Sequence, residues 1–308
     1  MKSTDLISIH DLQRDEVLEI LDLADRIKHD PRVHREALSR KTLAMIFEMP
    51  SLRTRVSFEA GMTQLGGHAI CLGPPDISMG KRESVADIAR TLSGMADGIM
   101  ARTFSHQAII DLARHASIPV INGLSDHLHP CQALADFLTI REVFGRCEGI
   151  KVAYVGDGNN VAHSLMYAGA KLGARVSIAT PPDYAPDPTV VANARRDAGA
   201  TGAIIETGHE VLAAVADADV VYTDTWASMG QEAEHEERVA VFRPYQVNAA
   251  VMARARKGAI FMHCLPAHRG EEVTDEVIES EASVVFRQAA NRLHAQKAVL
   301  VILMGHRP

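Results

Sequence analysis

Thr42-Leu-Ala-Met-Ile-Phe47, followed after three residues by Ser51-Leu-Arg-Thr-Arg55, is the stretch of sequence that decides the fold. Its first part is almost entirely apolar, which is typical of a strand buried on both faces of a parallel sheet. Beyond the turn the sequence predicts a helix with one face marked by Val56, Ala60, Met62, Thr63 and Leu65. A buried strand that leads through a short turn into a helix is the repeating unit of a doubly wound α/β fold.

The turn itself carries the groups that bind an anion. Backbone N–H groups at the start of a helix have no intrahelical acceptor and lie at the positive end of the helix dipole. The hydroxyls of Ser51 and Thr54 and the guanidinium groups of Arg53 and Arg55 add further donors at the same place. A serine cap followed by solvated arginines has the same pattern, so this turn alone leaves both interpretations open.

The composition narrows the class of protein. A length of 308 residues favours two domains, and 47% hydrophobic with 23% charged residues is typical of a globular chain. The net charge of −7 gives no basic field for nucleic acid. No apolar run approaches the ~20 residues that span a bilayer, and no signal-peptide core follows the first methionine, so we expect a cytoplasmic protein without a membrane segment. The four cysteines form no C-x-x-C pair, which argues against a disulfide framework.

A histidine-rich turn precedes another predicted helix in the N-terminal half. Pro130 suits the first turn of a helix, so His129 comes just before that helix and Gln132 lies just inside it. Both side chains could therefore face a ligand held by neighbouring loops. His127, His129 and Cys131 are also candidate metal ligands, but no fourth ligand stands at a familiar spacing, and we predict no metal site.

A glycine-containing turn opens the C-terminal half. Gly156-Asp-Gly-Asn-Asn160 matches half of a dinucleotide-binding fingerprint, but Val161 replaces the third glycine. No acidic residue follows the next predicted strand, residues 175–179, where a ribose would need one. These departures argue against a nicotinamide cofactor. Asn159 and Asn160 at the helix start are suited to hydrogen-bonding a small polar ligand.

Two later strand ends also carry chemistry. Asp224 ends one predicted strand and Ser228 follows it on a loop, an arrangement that suits the ammonium group of a ligand. Another strand ends in His263-Cys-Leu-Pro266, where a cis peptide bond before the proline would turn backbone carbonyls toward a ligand.

The alternation of strands and helices predicts an α/β protein with two doubly wound parallel-sheet domains and a cleft between them. We place the first domain at residues 1–145, joined by a terminal helix at about 283–308 that packs back on it, and the second at 146–282. Arg102 ends a strand of the first domain, at the sheet edge where ligands collect, although a surface arginine has the same spacing.

Four motifs, in order along the whole chain, resemble those of the aspartate/ornithine carbamoyltransferase family. They are Ser51-Leu-Arg-Thr-Arg55, His129-Pro-Cys-Gln132, Asp224-Thr-Trp-Ala-Ser-Met-Gly230 and His263-Cys-Leu-Pro266. The first two are shared by carbamoyltransferases in general, and the last two resemble the ornithine branch. A negative charge at Asp224 would also repel the second carboxylate of aspartate. Leu52 stands where many members have threonine, and Ser78 where several have glutamine or histidine in a loop that reaches a neighbouring subunit.

The resemblance implies a role for each matching residue. Carbamoyl phosphate would be bound in the first domain by the backbone N–H of Leu52 together with Ser51, Arg53, Thr54, Arg102, His129, Gln132 and Arg292, and also by Cys264 and Leu265. Ornithine would be bound in the second domain by Asn160, Asp224, Ser228 and Met229. The catalytic residues would be Arg102, His129, Asp224 and Cys264. Neither a metal nor an organic cofactor is implied, and the family resemblance implies a homotrimer.

The expected reaction is attack of the neutral δ-amine of L-ornithine on carbamoyl phosphate, which gives L-citrulline and phosphate for arginine biosynthesis. A relative that carbamoylates putrescine or an N-acylornithine is the nearest alternative. A nucleotide-binding dehydrogenase or a non-catalytic sensor on the same scaffold is a more distant one. The sequence leaves open whether the enzyme works in the anabolic or the catabolic direction, and which group takes the ornithine proton.

Overall fold

The computed structural model describes residues 4–80, 82–227 and 232–305. Contacts divide the chain into two compact units. The first unit is Met1–Leu138 with Ala290–Pro308, and the second unit is Thr139–Ala289. Each unit is built on a parallel sheet with helices between its strands, which confirms the predicted fold class. The boundaries at 145/146 and 282/283 stay a prediction.

The first unit contains a four-stranded parallel sheet in the order β2-β1-β3-β4 among the described residues. The strands are β1 (Thr42–Phe47), β2 (His68–Leu72), β3 (Gly98–Arg102) and β4 (Val120–Leu124). The helices are α1 (Arg14–His29), α2 (Leu52–Gln64), α3 (Val85–Ser93), α4 (His106–His115) and α5 (Pro130–Phe144), whose last residues belong to the second unit. Because β2 lies on one side of β1 and β3 on the other, the strand order reverses at β1. Ligands of doubly wound sheets bind at such a reversal, beyond the carboxyl ends of the strands.

The second unit contains a five-stranded parallel sheet in the order β7-β6-β5-β8-β9 among the described residues. The strands are β5 (Lys151–Val155), β6 (Arg175–Ala179), β7 (Ile204–Gly208), β8 (Val220–Thr223) and β9 (Ile260–His263). The helices are α6 (Asn160–Leu172), α7 (Pro188–Ala198), α8 (Val211–Val215), α9 (His235–Phe242), α10 (Ala249–Met252), α11 (Asp275–Ile278) and the start of α12 (Val285–Met304), which continues into the first unit. The strand order reverses at β5, so the same rule places a ligand beyond its carboxyl end.

The buried face of α2 differs from the predicted face. Val56, predicted to face inward, is 53% exposed. The residues that are buried are Thr54, Ser57, Phe58, Gly61 and Met62. Polar residues lie on this face because α12 packs against it, and the Ser57 hydroxyl donates to Gln296 Oε1 at 3.0 Å. The prediction was correct for Met62 and Leu65 and wrong for Val56 and Thr63, which are exposed, because hydropathy alone cannot identify a polar side chain that finds its partner on a distant helix.

No helix in the part of the chain that the structure describes is both long enough and apolar enough to cross a membrane.

Candidate functional site

The start of α2, at the strand reversal of the first unit, combines a helix cap with a set of anion-binding donors. Ser51 is the N-cap, and its oxygen accepts from Thr54 N at 3.3 Å while its hydroxyl donates to Thr54 Oγ1 at 3.1 Å. Leu52 is the first helical residue, where backbone N–H groups have no acceptor within the helix. Arg53 is half-buried beside it, whereas Arg55 is exposed and donates to Glu59 Oε1 at 2.9 Å. The turn is therefore both a serine helix cap and a set of donors suited to an anion. Arg55 does not belong to these donors, because it is exposed and bonded to Glu59.

Arg292 connects three helices of the first unit. Its guanidinium donates from Nη2 to Thr54 Oγ1 at 3.2 Å and from Nη1 to Gln132 Oε1 at 2.8 Å. A third bond runs from Nε to Gln296 Oε1 at 2.9 Å. The side chain is only 2% exposed. These bonds bring α12 together with the starts of α2 and α5, as the sequence motifs predicted for a common ligand.

His129 lies buried in a field of positive charge. Burial is the main cause that holds its pKa well below the usual value, and the guanidinium groups of Arg292, Arg102 and Arg53 lower the pKa further. Arg102 is itself buried at the end of β3, in register with Phe47 at the end of β1. The imidazole is therefore neutral near pH 7 and can act as an N–H donor. Three cations around a neutral histidine fit an anionic ligand.

Asp224 is the centre of the corresponding region in the second unit. It follows β8, is 6% exposed, and its Oδ1 accepts from Thr225 N at 2.8 Å and from Cys264 Sγ at 2.9 Å. Its Oδ2 accepts from Asn159 Nδ2 at 2.8 Å. Cys264 and Asp224 come from different strand ends and meet directly, as expected if they act on one ligand group.

Asn159 has a role that the sequence did not indicate. Its side-chain oxygen caps α6 by accepting from Val161 N at 3.0 Å and Ala162 N at 3.2 Å, and it also accepts from Tyr154 Oη at 3.3 Å. Because these donors fix the oxygen, the amide nitrogen is directed at Asp224. An asparagine at a helix start signals the cap, but nothing local signals the carboxylate 65 residues away.

Negative charge accumulates in this region of the second unit. The pKa of Asp157 is raised to about 6, mainly by burial, with a contribution from the charge of Asp224 and against the lowering effect of its ion pair with Arg238. Burial, followed by the charges of Asp224 and Asp157, raises the pKa of Tyr154 well above its usual value, so its hydroxyl stays a donor. The region therefore fits a cationic ligand group.

The segment after β9 has an unusual backbone. The Leu265–Pro266 peptide bond, whose isomer the sequence left open, is cis, and Leu265 has a φ of 58°. The Leu265 N–H donates to His263 Nδ1 at 2.8 Å, and Cys264 and Leu265 are both half-buried. The backbone of Leu265 is thus held through its N–H by its own segment.

The remaining predicted residues are less well defined. Asn160 is the first residue of α6 and is half-buried. Ser228 and Met229 lie outside the described residues. Ser78 is exposed and its hydroxyl donates to the Pro74 carbonyl at 3.4 Å.

Two groups of described residues bring together side chains that could hold a metal ion. One consists of Asp224, His263 and Cys264, and the other of His268, Glu271 and Glu272. Neither group contains a residue of the histidine-rich turn at 127–131. The first group belongs to the region around Asp224 described above.

Comparison with known proteins covers both units. A family model described as the carbamoyl-P binding domain of aspartate/ornithine carbamoyltransferase matches residues 4–142. The model described as the Asp/Orn binding domain of the same family matches residues 148–303.

Individual relatives agree with the family models. An ornithine carbamoyltransferase of Thermococcus kodakarensis is 57% identical over 98% of this chain and 96% of its own length. An anabolic ornithine carbamoyltransferase of Pyrococcus furiosus is 56% identical over 98% of this chain and 96% of its own length.

Solved structures give the same result. An ornithine carbamoyltransferase structure from Pyrococcus furiosus has a TM-score of 0.96 at 55% identity and covers 99% of this chain and 98% of its own. An acetylornithine transcarbamylase complexed with acetylcitrulline has a TM-score of 0.88 at 30% identity, with 98% of this chain and 99% of its own covered.

Proposed function

The chain belongs to the aspartate/ornithine carbamoyltransferase family, and on this premise we propose that it transfers the carbamoyl group of carbamoyl phosphate to the δ-amine of L-ornithine. The products are L-citrulline and phosphate. The observation that carries the proposal is the set of hydrogen bonds from Arg292 to Thr54 and Gln132, which joins two of the sequence motifs to the last helix around one cationic centre.

Carbamoyl phosphate is assigned to the first unit because its charges match. Its phosphate is held by Ser51, Arg53, Thr54 and the N–H of Leu52, and Arg102 bridges the phosphate and the carbonyl oxygen. The carbamoyl end is held by His129, Gln132 and Arg292. The buried guanidinium groups of Arg102 and Arg292 support this assignment, because buried cations require compensating negative charge.

Ornithine is assigned to the second unit, where the charge is opposite. Asp224 and Ser228 bind its α-ammonium group, and Asn160 with the N–H of Met229 binds its α-carboxylate. The fixed carboxylate of Asp224 and its contact with Cys264 support this assignment. An N-acylornithine lacks the ammonium group, and putrescine lacks the carboxylate.

The chemistry is direct acyl transfer. The neutral δ-amine forms a C–N bond to the carbamoyl carbon, and the tetrahedral oxyanion that results collapses by breaking the C–O bond to phosphate. Arg102, His129 and Thr54 stabilise the oxyanion, and one such donor contributes about 3 kcal/mol. A free amine of this kind has a pKa near ~10, so the reaction requires a site that favours its uncharged form. The proton passes to the leaving phosphate or to Cys264 coupled with Asp224.

A steady-state assay of carbamoyl transfer tests the proposal. With carbamoyl phosphate as donor, we expect turnover with ornithine and at least about a hundredfold lower kcat/KM with putrescine, N-acetylornithine or aspartate. Replacing Arg53 with glycine should abolish transfer to ornithine while the circular dichroism spectrum is retained. Comparable turnover with putrescine, or near-normal turnover in Arg53→Gly, would refute the assignment.

A homotrimer, a cytoplasmic location and the biosynthetic direction are also part of the proposal. Leu52 and Ile70 on the neighbouring elements α2 and β2 are 74% and 45% exposed, and apolar surface of this kind is commonly covered in an oligomer. The anabolic relative of Pyrococcus furiosus supports arginine synthesis. Sedimentation equilibrium should give three times the monomer mass, and Leu52→Lys should reduce it.

A further inference from the structure

Two histidines and two glutamates meet on the surface of the second unit, outside the region around Asp224. His235, at the start of α9, places Nε2 3.3 Å from Glu271 Oε1. His268 places Nδ1 3.8 Å from Glu271 Oε2. One carboxylate therefore has an imidazole nitrogen close to each of its oxygens, and the two rings stand at 89° with centroids 6.2 Å apart.

Glu272 adds a second carboxylate to this cluster. Its side chain is fully buried. Its Oε1 accepts from the backbone N–H of His268 and lies 3.2 Å from His263 Nε2. Its other oxygen, Oε2, has no hydrogen-bond partner among the residues described. A buried carboxylate oxygen without a partner is energetically costly, so this atom has unused capacity for a cation.

The distances fit a metal ion of one particular class. Ligand atoms of His268, Glu271 and Glu272 all lie within 4.8 Å of one another. Bonds of about 2.0–2.2 Å in a tetrahedral zinc site separate neighbouring ligand atoms by roughly 3.4 Å. Mixed imidazole and carboxylate ligands suit zinc, nickel or copper, whereas calcium and magnesium prefer oxygen ligands alone.

Neighbouring cations do not satisfy the cluster. Arg269 lies in the same turn, but its guanidinium is paired with Asp275 at 2.8 Å and with Glu279. Among the residues that the structure describes, the ion-pair partners of Glu271 are therefore histidines, which are neutral ligands when they are deprotonated.

We propose that His268, Glu271 and Glu272 form a binding site for a divalent transition-metal ion such as zinc, and that His235 positions the Glu271 ligand from outside the site. Through the contact of His235 with Glu271, the site connects the turn at 268–272 to the start of α9. Through Glu272 it adjoins His263, whose Nδ1 accepts from the N–H of Leu265. Metal binding therefore stiffens the segment that carries Cys264 and Leu265. The binding itself does not depend on the proposed transferase activity.

Calorimetric titration of the metal-free full chain with Zn²⁺ tests the site. We expect one equivalent to bind, with affinity reduced more than about tenfold in His235→Ala and in Glu271→Gln. His29→Ala is the matched control, because His29 is also an exposed histidine near a carboxylate, Asp25 at 3.5 Å, but it has no second histidine on that carboxylate. Its affinity should equal that of the unmodified chain. Melting curves without metal check that each variant is folded.

The cysteine near Asp224 requires a separate control, because Asp224, His263 and Cys264 could also bind zinc. Titration of Cys264→Ser should still show the same equivalent. Co²⁺ bound to the unmodified chain should show ligand-field bands without the near-ultraviolet charge-transfer band of a cobalt thiolate. Absence of binding, unchanged affinity in both His235→Ala and Glu271→Gln, or loss of the equivalent in Cys264→Ser would each overturn the proposal.

Discussion

The strand order reverses at β1 in the first unit and at β5 in the second, and the side chains around the two reversals carry opposite charges. At β1, Arg102 and Arg292 are buried around a histidine whose pKa is lowered. At β5, Asp157 and Asp224 are buried around a tyrosine whose pKa is raised. The topology thus provides a position suited to a ligand at each reversal, whereas the side chains at the strand ends decide which sign of charge that position favours.

The largest expected loss of activity comes from substitution in the cationic region around Arg292. Arg292→Ala removes the donor to Thr54 and Gln132, and kcat/KM for carbamoyl phosphate should fall about 10³-fold, equivalent to about 4 kcal/mol. Arg287→Ala, on an exposed position of the same helix, is the matched control and should change kcat/KM by less than about twofold. Equal effects of the two substitutions would show that the cationic centre is not functional.

Substitution in the anionic region around Asp224 should change the kinetics for ornithine, not those for carbamoyl phosphate. Asp224→Asn keeps the shape of the side chain but removes its charge, and the KM for ornithine should rise about a hundredfold while the binding of carbamoyl phosphate alone is unchanged. Asp217→Asn, at an exposed carboxylate in the same unit, serves as the control. A rise in the dissociation constant of carbamoyl phosphate as large as the rise in the ornithine KM would contradict the separation of the two ligands.

The raised pKa of Asp157 makes the stability of the anionic region depend on pH. The native carboxyl holds its proton up to about pH 6, whereas an unfolded one loses it near pH ~4. The native state therefore binds more protons between these values, and the free energy of unfolding falls as pH rises through that window, by at most about 3 kcal/mol. Denaturant unfolding between pH 4 and 7 should show this fall, and Asp157→Asn should flatten it. If the free energy of unfolding of Asp157→Asn falls with pH as steeply as that of the unmodified chain, another group causes the effect.

The smallest effect separates the two functions of Asn159. Asn159→Ala removes both the helix cap and the donor to Asp224, so it should cost about 1 kcal/mol of stability and raise the ornithine KM about tenfold. Asn159→Asp keeps a cap oxygen but sets a carboxylate against Asp224. It should recover stability while the ornithine KM rises further. If the KM in the two variants follows stability alone, Asn159 is only a cap.

Much of this arrangement could be predicted from local sequence. The strand before Ser51 and the donors after it are neighbours in the chain, so apolar runs and helix-start residues indicated both. The strand-end aspartate, Asp224, was also predicted, whereas the isomer of the bond before Pro266 was left open. The inward face of α2 was wrong at Val56, and the role of Asn159 was missed, because in both cases a distant polar partner determines the arrangement.

The sequence by itself determined the strand–turn–helix units and the kinds of side chain at their junctions, since backbone donors, helix dipoles and apolar periodicity act over a few residues. Only the tertiary structure decided which junctions share a ligand region. Arg292 meets Gln132 and Thr54 across 160 and 238 residues of chain. Contacts across such separations arise from helix packing and leave no periodic signal in the sequence.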